Sequence, residues 1–202
     1  GQRPGELCLV SLGPGRRSLM VPEAQEALAQ AEIIVGYKTY LELITDFTAG
    51  KTVISSGMKR EMERCLAAID QALAGRRVAL VSSGDAGIYG MAGLVFDLCR
   101  ERGLHPAHDL EQSSGADLVV RVIAGISAFN AAASAVGAPL MHDFAAVSLS
   151  DHLTPWEIIE RRLDAAASAD FVLAIYNPRS KSRPKLLEQA REILLRHRSP
   201  HT

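Results

Sequence analysis

Ser83-Gly84-Asp85-Ala86-Gly87-Ile88-Tyr89-Gly90 is the stretch whose residue types and spacing are best suited to holding a ligand. Glycines recur at 84, 87, 90 and 93, which lets the backbone turn with positive φ and lets a ligand approach the main chain. A plain β–α turn also uses glycine, but one turn rarely needs four. Tyr37-Lys38-Thr39-Tyr40 sets two aromatic hydroxyls around a cation; it suits a flat anionic ligand, or equally the covering of a sheet edge. His142-Asp143 and Asp151-His152 each put an imidazole next to a carboxylate, the groups most used for proton transfer. Chain neighbours usually point different ways, so each pair competes with an ordinary solvated reading. Asn177-Pro178-Arg179-Ser180-Lys181-Ser182-Arg183 is a basic loop that suits carboxylate recognition or simple solvation. His105, His108 and Asp109 are metal-ligating types, but nothing nearby completes a ligand set, so no metal site is expected.

Several chemistries are disfavoured. Gly13-Pro14-Gly15 is followed by Ser18 where a dinucleotide fingerprint has its third glycine, and no Gly-Lys-Ser/Thr follows it. Gly125-Ile126-Ser127 lacks the second glycine of a nucleophile elbow, since Phe129 stands there. Cys8, Cys65 and Cys99 are far apart and each lies in an apolar periodic segment, which predicts buried thiols rather than a disulfide framework. A net charge of −1 argues against a general nucleic-acid or anionic-membrane partner. No apolar run reaches membrane-spanning length, and the polar start Gly1–Glu6 is not a signal peptide, so a cytoplasmic protein is expected.

These groups sit at the ends of a repeated strand–loop–helix pattern. Glu6–Leu12 is an apolar run between Gly5 and Gly13 and predicts a strand buried on both faces, as in a parallel sheet. Further strands are predicted at Glu32–Val35, Thr52–Ile54, Arg77–Ser82, Leu118–Ile123, Ala145–Leu149 and Asp170–Tyr176. Between them, Pro22 opens one helix, and Met62, Leu66, Ile69 and Leu73 give helical spacing to another that Gly75 ends. Leu94, Val95 and Leu98 mark a third helix, an alanine-rich one closes at Gly137, and the last runs to about His197. Thr154-Pro155-Trp156-Glu157 has the form of a capping box. The polar stretch from 105 to 115 predicts an exposed excursion. With 202 residues the chain holds one large domain or two small ones, and we expect two αβα lobes, 1–138 and 139–202.

Taken together, the loops Leu9–Gly15, Ser83-Gly84-Asp85 and Ala124–Ala128 resemble the tetrapyrrole methylase family, the S-adenosylmethionine-dependent enzymes of corrin and siroheme synthesis. Four stretches resemble its precorrin-3B C17-methyltransferase branch: Val35–Tyr40, Ser83–Ala92, Gly137–Phe144 with Ser148–Asp151, and Tyr176–Lys181. The stretch from 105 to 115 departs from the family as an insertion. Family members usually continue, beyond the position of Thr202, with further strands and another cofactor-contacting loop, so the second lobe is expected to be incomplete in this chain.

The resemblance implies an α/β fold of two lobes, each a largely parallel sheet flanked by helices, in a homodimer without a membrane or nucleic-acid partner. It implies S-adenosyl-L-methionine as cofactor, held by Pro14, Ser83, Gly84, Asp85, Ile88, Tyr89, Ser127, Ala128, Tyr176 and Asn177. The implied reaction is methylation of precorrin-3B, or its cobalt-containing counterpart, at C17 with contraction of the macrocycle to the corrin skeleton of cobalamin. The tetrapyrrole's carboxylates would meet Lys38, Arg179 and Lys181, with Tyr37 lining the same surface. Ring contraction needs a proton to move, for which the candidates are Asp85, Tyr37, His142, Asp151 and His152. Two alternatives are a methylase acting at another carbon and a non-catalytic protein that binds a tetrapyrrole or nucleotide-like ligand.

Overall fold

The computed structural model describes residues 4–138, 140–179 and 184–202. The chain divides into two compact units, 1–131 and 132–202, with the division inside an α-helix, Ala128–Val136.

The first unit is built on five parallel strands: β1 (Glu6–Ser11), β2 (Ile33–Tyr37), β3 (Thr52–Ser56), β4 (Arg77–Ser82) and β5 (Val119–Ile123), in the order β3-β2-β4-β1-β5. β1 is buried at every position, which is why its sequence is almost continuously apolar rather than alternating. Its side chains still divide between faces. Leu7 and Leu9 join Leu80, Ile69 and Val95 in one core, while Cys8 and Val10 join Ala79, Val81 and Leu28 in the other. Helices α1 (Pro22–Gln30), α4 (Glu61–Leu73) and α5 (Ala92–Glu101) cover these faces, and the short α2 (Lys38–Glu42) and α3 (Thr45–Thr48) follow β2. Pro22 occupies the first turn of α1, where its missing N–H is not needed. At the other end Lys51 Nζ donates to the carbonyls of Leu28, Ala29 and Ala31 at 2.7, 2.6 and 2.7 Å, a cation on the negative end of the helix.

The connections locate the crevice. From β1 the chain crosses over β4 to reach β2. From β4 it crosses over β1 to reach β5. The two central strands thus send the chain in opposite directions, and ligands of open α/β sheets bind at the carboxyl ends of strands at such a switch point.

The second unit contains most of α6 (Ala128–Val136), the parallel pair β6 (Phe144–Ser148) and β7 (Val172–Tyr176), and helices α7 (Trp156–Ser168) and α8 (Leu186–Leu194). Its core is Val147, Leu149, Ile159, Leu163, Leu186, Ala190 and Ile193. Asp164 meets His197 Nε2 at 2.8 Å and Glu160 accepts from Arg196 at 3.2 Å, which ties α7 to the end of the chain.

One local expectation needs correction. The capping box at Thr154 does not form: Pro155 is the N-cap of α7, and no side chain among the described residues caps it. Proline's fixed φ sets the helix start there without Thr154. The stretch from 105 to 115 is exposed at most positions, as expected, and it is also tied to the sheet. Ala107 bridges to β5, taking the N–H of Val120 at 2.8 Å and donating to Leu118 at 3.0 Å. His108 packs edge-on against Phe96, and Asp117 accepts the N–H of His105 at 2.7 Å. All three cysteines are buried and free, as their apolar settings predicted.

Candidate cofactor and substrate site

Three loops meet at the carboxyl ends of β1, β4 and β5. Gly13 and Gly84 exchange backbone hydrogen bonds, at 2.8 Å from the Gly84 N–H and 3.1 Å from the Gly13 N–H. Both have positive φ, +71° and +62°, a conformation glycine adopts at little cost. Ser11 Oγ, at the buried end of β1, accepts the N–H of Ala86 at 2.8 Å. Asp85 then joins the third loop: Oδ1 accepts the N–H of Gly87 at 2.7 Å and Oδ2 that of Gly125 at 2.9 Å. A Cβ on Gly125 would lie 2.6 Å from Ser11 Cβ and 2.7 Å from the Gly84 carbonyl oxygen. The loops touch backbone to backbone, and nothing larger than glycine fits between them.

Around this seam stand the residues expected to hold the cofactor. Pro14, Ser83 and Ala128 are exposed, Gly84 is buried, and Asp85 is half-buried. Ile88 and Tyr89 are exposed on the same loop as Asp85, with Tyr89 in left-handed backbone at φ +51°. Ser127 is buried: it donates to Asn130 Oδ1 at 2.6 Å and accepts the Asn130 N–H at 3.4 Å, opening α6. Loops 83–90 and 124–128 contain one carboxylate and no lysine or arginine. These two loops therefore offer a ligand backbone groups and small side chains rather than cationic ones.

Tyr37 closes β2 on the same edge of the sheet. Its ring meets Tyr40 edge-on, with centroids 5.3 Å apart and planes at 90°, and Lys38 beside it is exposed. The remaining expected residues belong to the second unit. Asn177, at the end of β7 with φ +52°, donates from Nδ2 to Ser148 Oγ at 2.8 Å, and the Tyr176 carbonyl accepts the Leu149 N–H at 2.9 Å. His142, His152 and Arg179 are exposed and Asp151 is half-buried. Lys181 lies outside the described residues. The structure thus brings together Pro14, Ser83, Gly84, Asp85, Ser127 and Ala128 within the first unit, with Tyr37 on the same edge.

Sequence reasoning missed Ser11, Gly125 as the closing contact, and Arg64, a buried cation in the first turn of α4. Ser11 had a usable signal, a polar residue at the end of an apolar strand. Arg64 had none, because arginine at that helical position reads as solvated.

The model of the family "Tetrapyrrole (Corrin/Porphyrin) Methylases" matches residues 6–202. The chain is 53% identical over 196 residues to a probable cobalt-factor III C(17)-methyltransferase of Salmonella typhimurium, covering 97% of this chain and 76% of that protein. It is 48% identical over 198 residues to a cobalt-factor III methyltransferase of Priestia megaterium, covering 98% of this chain but 35% of that one. The crystal structure of the methyltransferase CobJ superimposes with a TM-score of 0.85 at 42% identity, over 97% of this chain and 77% of that chain. The chain therefore spans between about a third and three quarters of these proteins.

Proposed function

The chain belongs to the tetrapyrrole methylases, and from that membership we propose that it methylates C17 of cobalt-factor III or precorrin-3B with contraction of the macrocycle, in cobalamin biosynthesis. The observation that carries the reading is the meeting of the three loops at the switch point, fastened by Asp85 and free of cationic side chains in 83–90 and 124–128. Names of relatives at 48% and 53% identity support the choice of macrocycle.

S-adenosylmethionine, when bound, supplies a methyl group already activated on a sulfonium. What remains for the protein is to align donor and acceptor carbon and to exclude water, so orientation supplies most of the rate. Pro14, Ser83, Gly84, Asp85, Ile88, Tyr89, Ser127 and Ala128 are assigned to hold the cofactor from the first unit, and Tyr176 and Asn177 from the second. Both oxygens of Asp85 already accept backbone N–H groups. We therefore assign it to holding the loops, and leave proton movement during ring contraction to Tyr37, His142, Asp151 or His152. Lys38, Arg179 and Lys181 are assigned to the substrate's carboxylates, where a cation forms a charge-assisted contact. We further place the enzyme in the cytoplasm as a homodimer; among the described residues no helix is long and apolar enough to cross a membrane.

The test is calorimetric titration with S-adenosylhomocysteine, with NAD as control, followed by turnover with each macrocycle. Stoichiometric binding of the first ligand alone and a methylated, ring-contracted product are expected. Binding of neither ligand would overturn the reading. Methylation without contraction would move the enzyme to another step of the same family.

A further inference from the structure

The turn between β3 and α4 lies at the carboxyl edge of the sheet, and it is held from below by a buried cation. Arg64 is 5% exposed. Its Nη1 donates to Ser56 Oγ at 2.9 Å and to the Gly57 carbonyl at 2.8 Å, and its Nη2 lies 3.6 Å from Glu61. The guanidinium carbon stands 5.8 Å from the centre of the Tyr37 ring, within cation–π range. Its Nε is buried with no hydrogen-bond partner among the described residues. An incompletely paired buried cation costs stability, so the sequence keeps an unfavourable group where it grips both the turn and the aromatic residue that ends β2.

The gripped turn presents side chains that packing does not require. Met58 is 70% exposed and Met62 58% exposed. Lys59, exposed between them, has φ +64°, a left-handed backbone that disfavours any residue but glycine, asparagine or aspartate. Strain of this kind clusters at functional sites. A thioether and an ammonium exposed on this turn match a flat, apolar ring fringed with carboxylates.

We propose that Arg64 is a positioning residue, and that the turn it holds makes Met58 and Lys59 contacts for the macrocyclic substrate, the thioether against the ring and the ammonium on a peripheral carboxylate. The inference rests on the methyltransferase reading above.

The test uses the whole enzyme with cobalt-factor III and precorrin-3B, and compares Lys59→Gly, Met58→Gln, Arg64→Gln and Arg64→Lys. Glycine relieves the strain at 59, so Lys59→Gly should leave the melting temperature no lower while raising KM. The expected rise is at least about tenfold, the size of one lost charge-assisted contact, with kcat and S-adenosylhomocysteine affinity unchanged. Met58→Gln should raise KM in the same selective way. Arg64→Gln should do so as well, and Arg64→Lys should recover part of the loss. If the Arg64 variants do not fold, the two turn variants carry the test alone. Unchanged KM in both Lys59→Gly and Met58→Gln overturns the proposal. A wild-type enzyme that turns over neither macrocycle overturns the methyltransferase reading, and this inference with it.

Discussion

Asp85 accepts the N–H of Gly125 at 2.9 Å across forty residues of sequence, and its other oxygen accepts the N–H of Gly87 at 2.7 Å. One carboxylate thus fixes its own loop and joins it to the loop after β5. Asparagine in its place keeps one acceptor but turns an amide NH2 toward a backbone donor. The lost bond and the new donor–donor contact should cost about 1.5–3 kcal/mol, the usual range for a hydrogen bond to a charged group. Asp85→Asn is therefore expected to weaken S-adenosylhomocysteine binding at least about tenfold, as read by calorimetry. Unchanged affinity would mean that the loop geometry does not depend on the carboxylate.

Gly125 is the second half of that joint. A methyl group there would meet Ser11 Cβ at 2.6 Å and the Gly84 carbonyl at 2.7 Å, and both neighbours belong to buried strand ends or backbone that cannot swing aside. Gly125→Ala should push the β5 loop off the other two, costing about 1–3 kcal/mol as overpacking does, and should abolish measurable cofactor binding. Urea midpoints and the same titration check both effects. A variant that binds as tightly as wild type would show that the seam tolerates separation.

The thiols give a test of burial that is independent of function. Burial pushes the Cys8 thiol up to about 12, with the Glu6 carboxylate adding to the shift, and burial pushes Cys65 up to about 11 and raises Cys99 as well. At pH 8 Cys8 is then thiolate in roughly one molecule in ten thousand, and the thiolate is the reactive form. In native protein none of the three should react with Ellman's reagent within an hour, and all should react in denaturant. Fast reaction of any one in the native state would place it on a surface.

Much of this arrangement was legible before the structure. β1 read as a buried parallel strand because its apolar run is continuous, β4 read as a strand, and the loop from Ser83 to Gly90 stood out because its glycines exceed what a turn needs. What escaped the sequence were contacts whose partners lie far apart on the chain. Nothing local says that Ser11 will meet Ala86, or that Lys51 will cap a helix twenty residues earlier. The capping box at Thr154 misled for the opposite reason: the local pattern was present, but Pro155 alone set the helix start. Arg64 shows the limit most plainly, since a charged residue near a helix N-terminus reads as solvent-facing and only tertiary packing buries it.

Glu32 supplies a pH dependence with a definite sign. Its Oε2 accepts the N–H of Arg77 at 2.9 Å and its Oε1 lies 3.2 Å from Arg76 Nε. The backbone hydrogen bond, and then the two guanidinium groups, hold its carboxyl below the ordinary value of 4.5. A carboxylate with a depressed folded-state pKa stabilises the fold above its unfolded pKa, and that contribution disappears as pH falls through the folded value, because the unfolded chain binds the proton more readily. Glu32→Gln removes the titrating group while leaving an acceptor for the Arg77 N–H. The difference in urea midpoint between wild type and Glu32→Gln should therefore be constant from pH 6 to 8 and should shrink steadily below about pH 4.5, the unfolded carboxylate value. A difference at pH 3 equal to that at pH 7 would show that Glu32 acts through packing rather than charge.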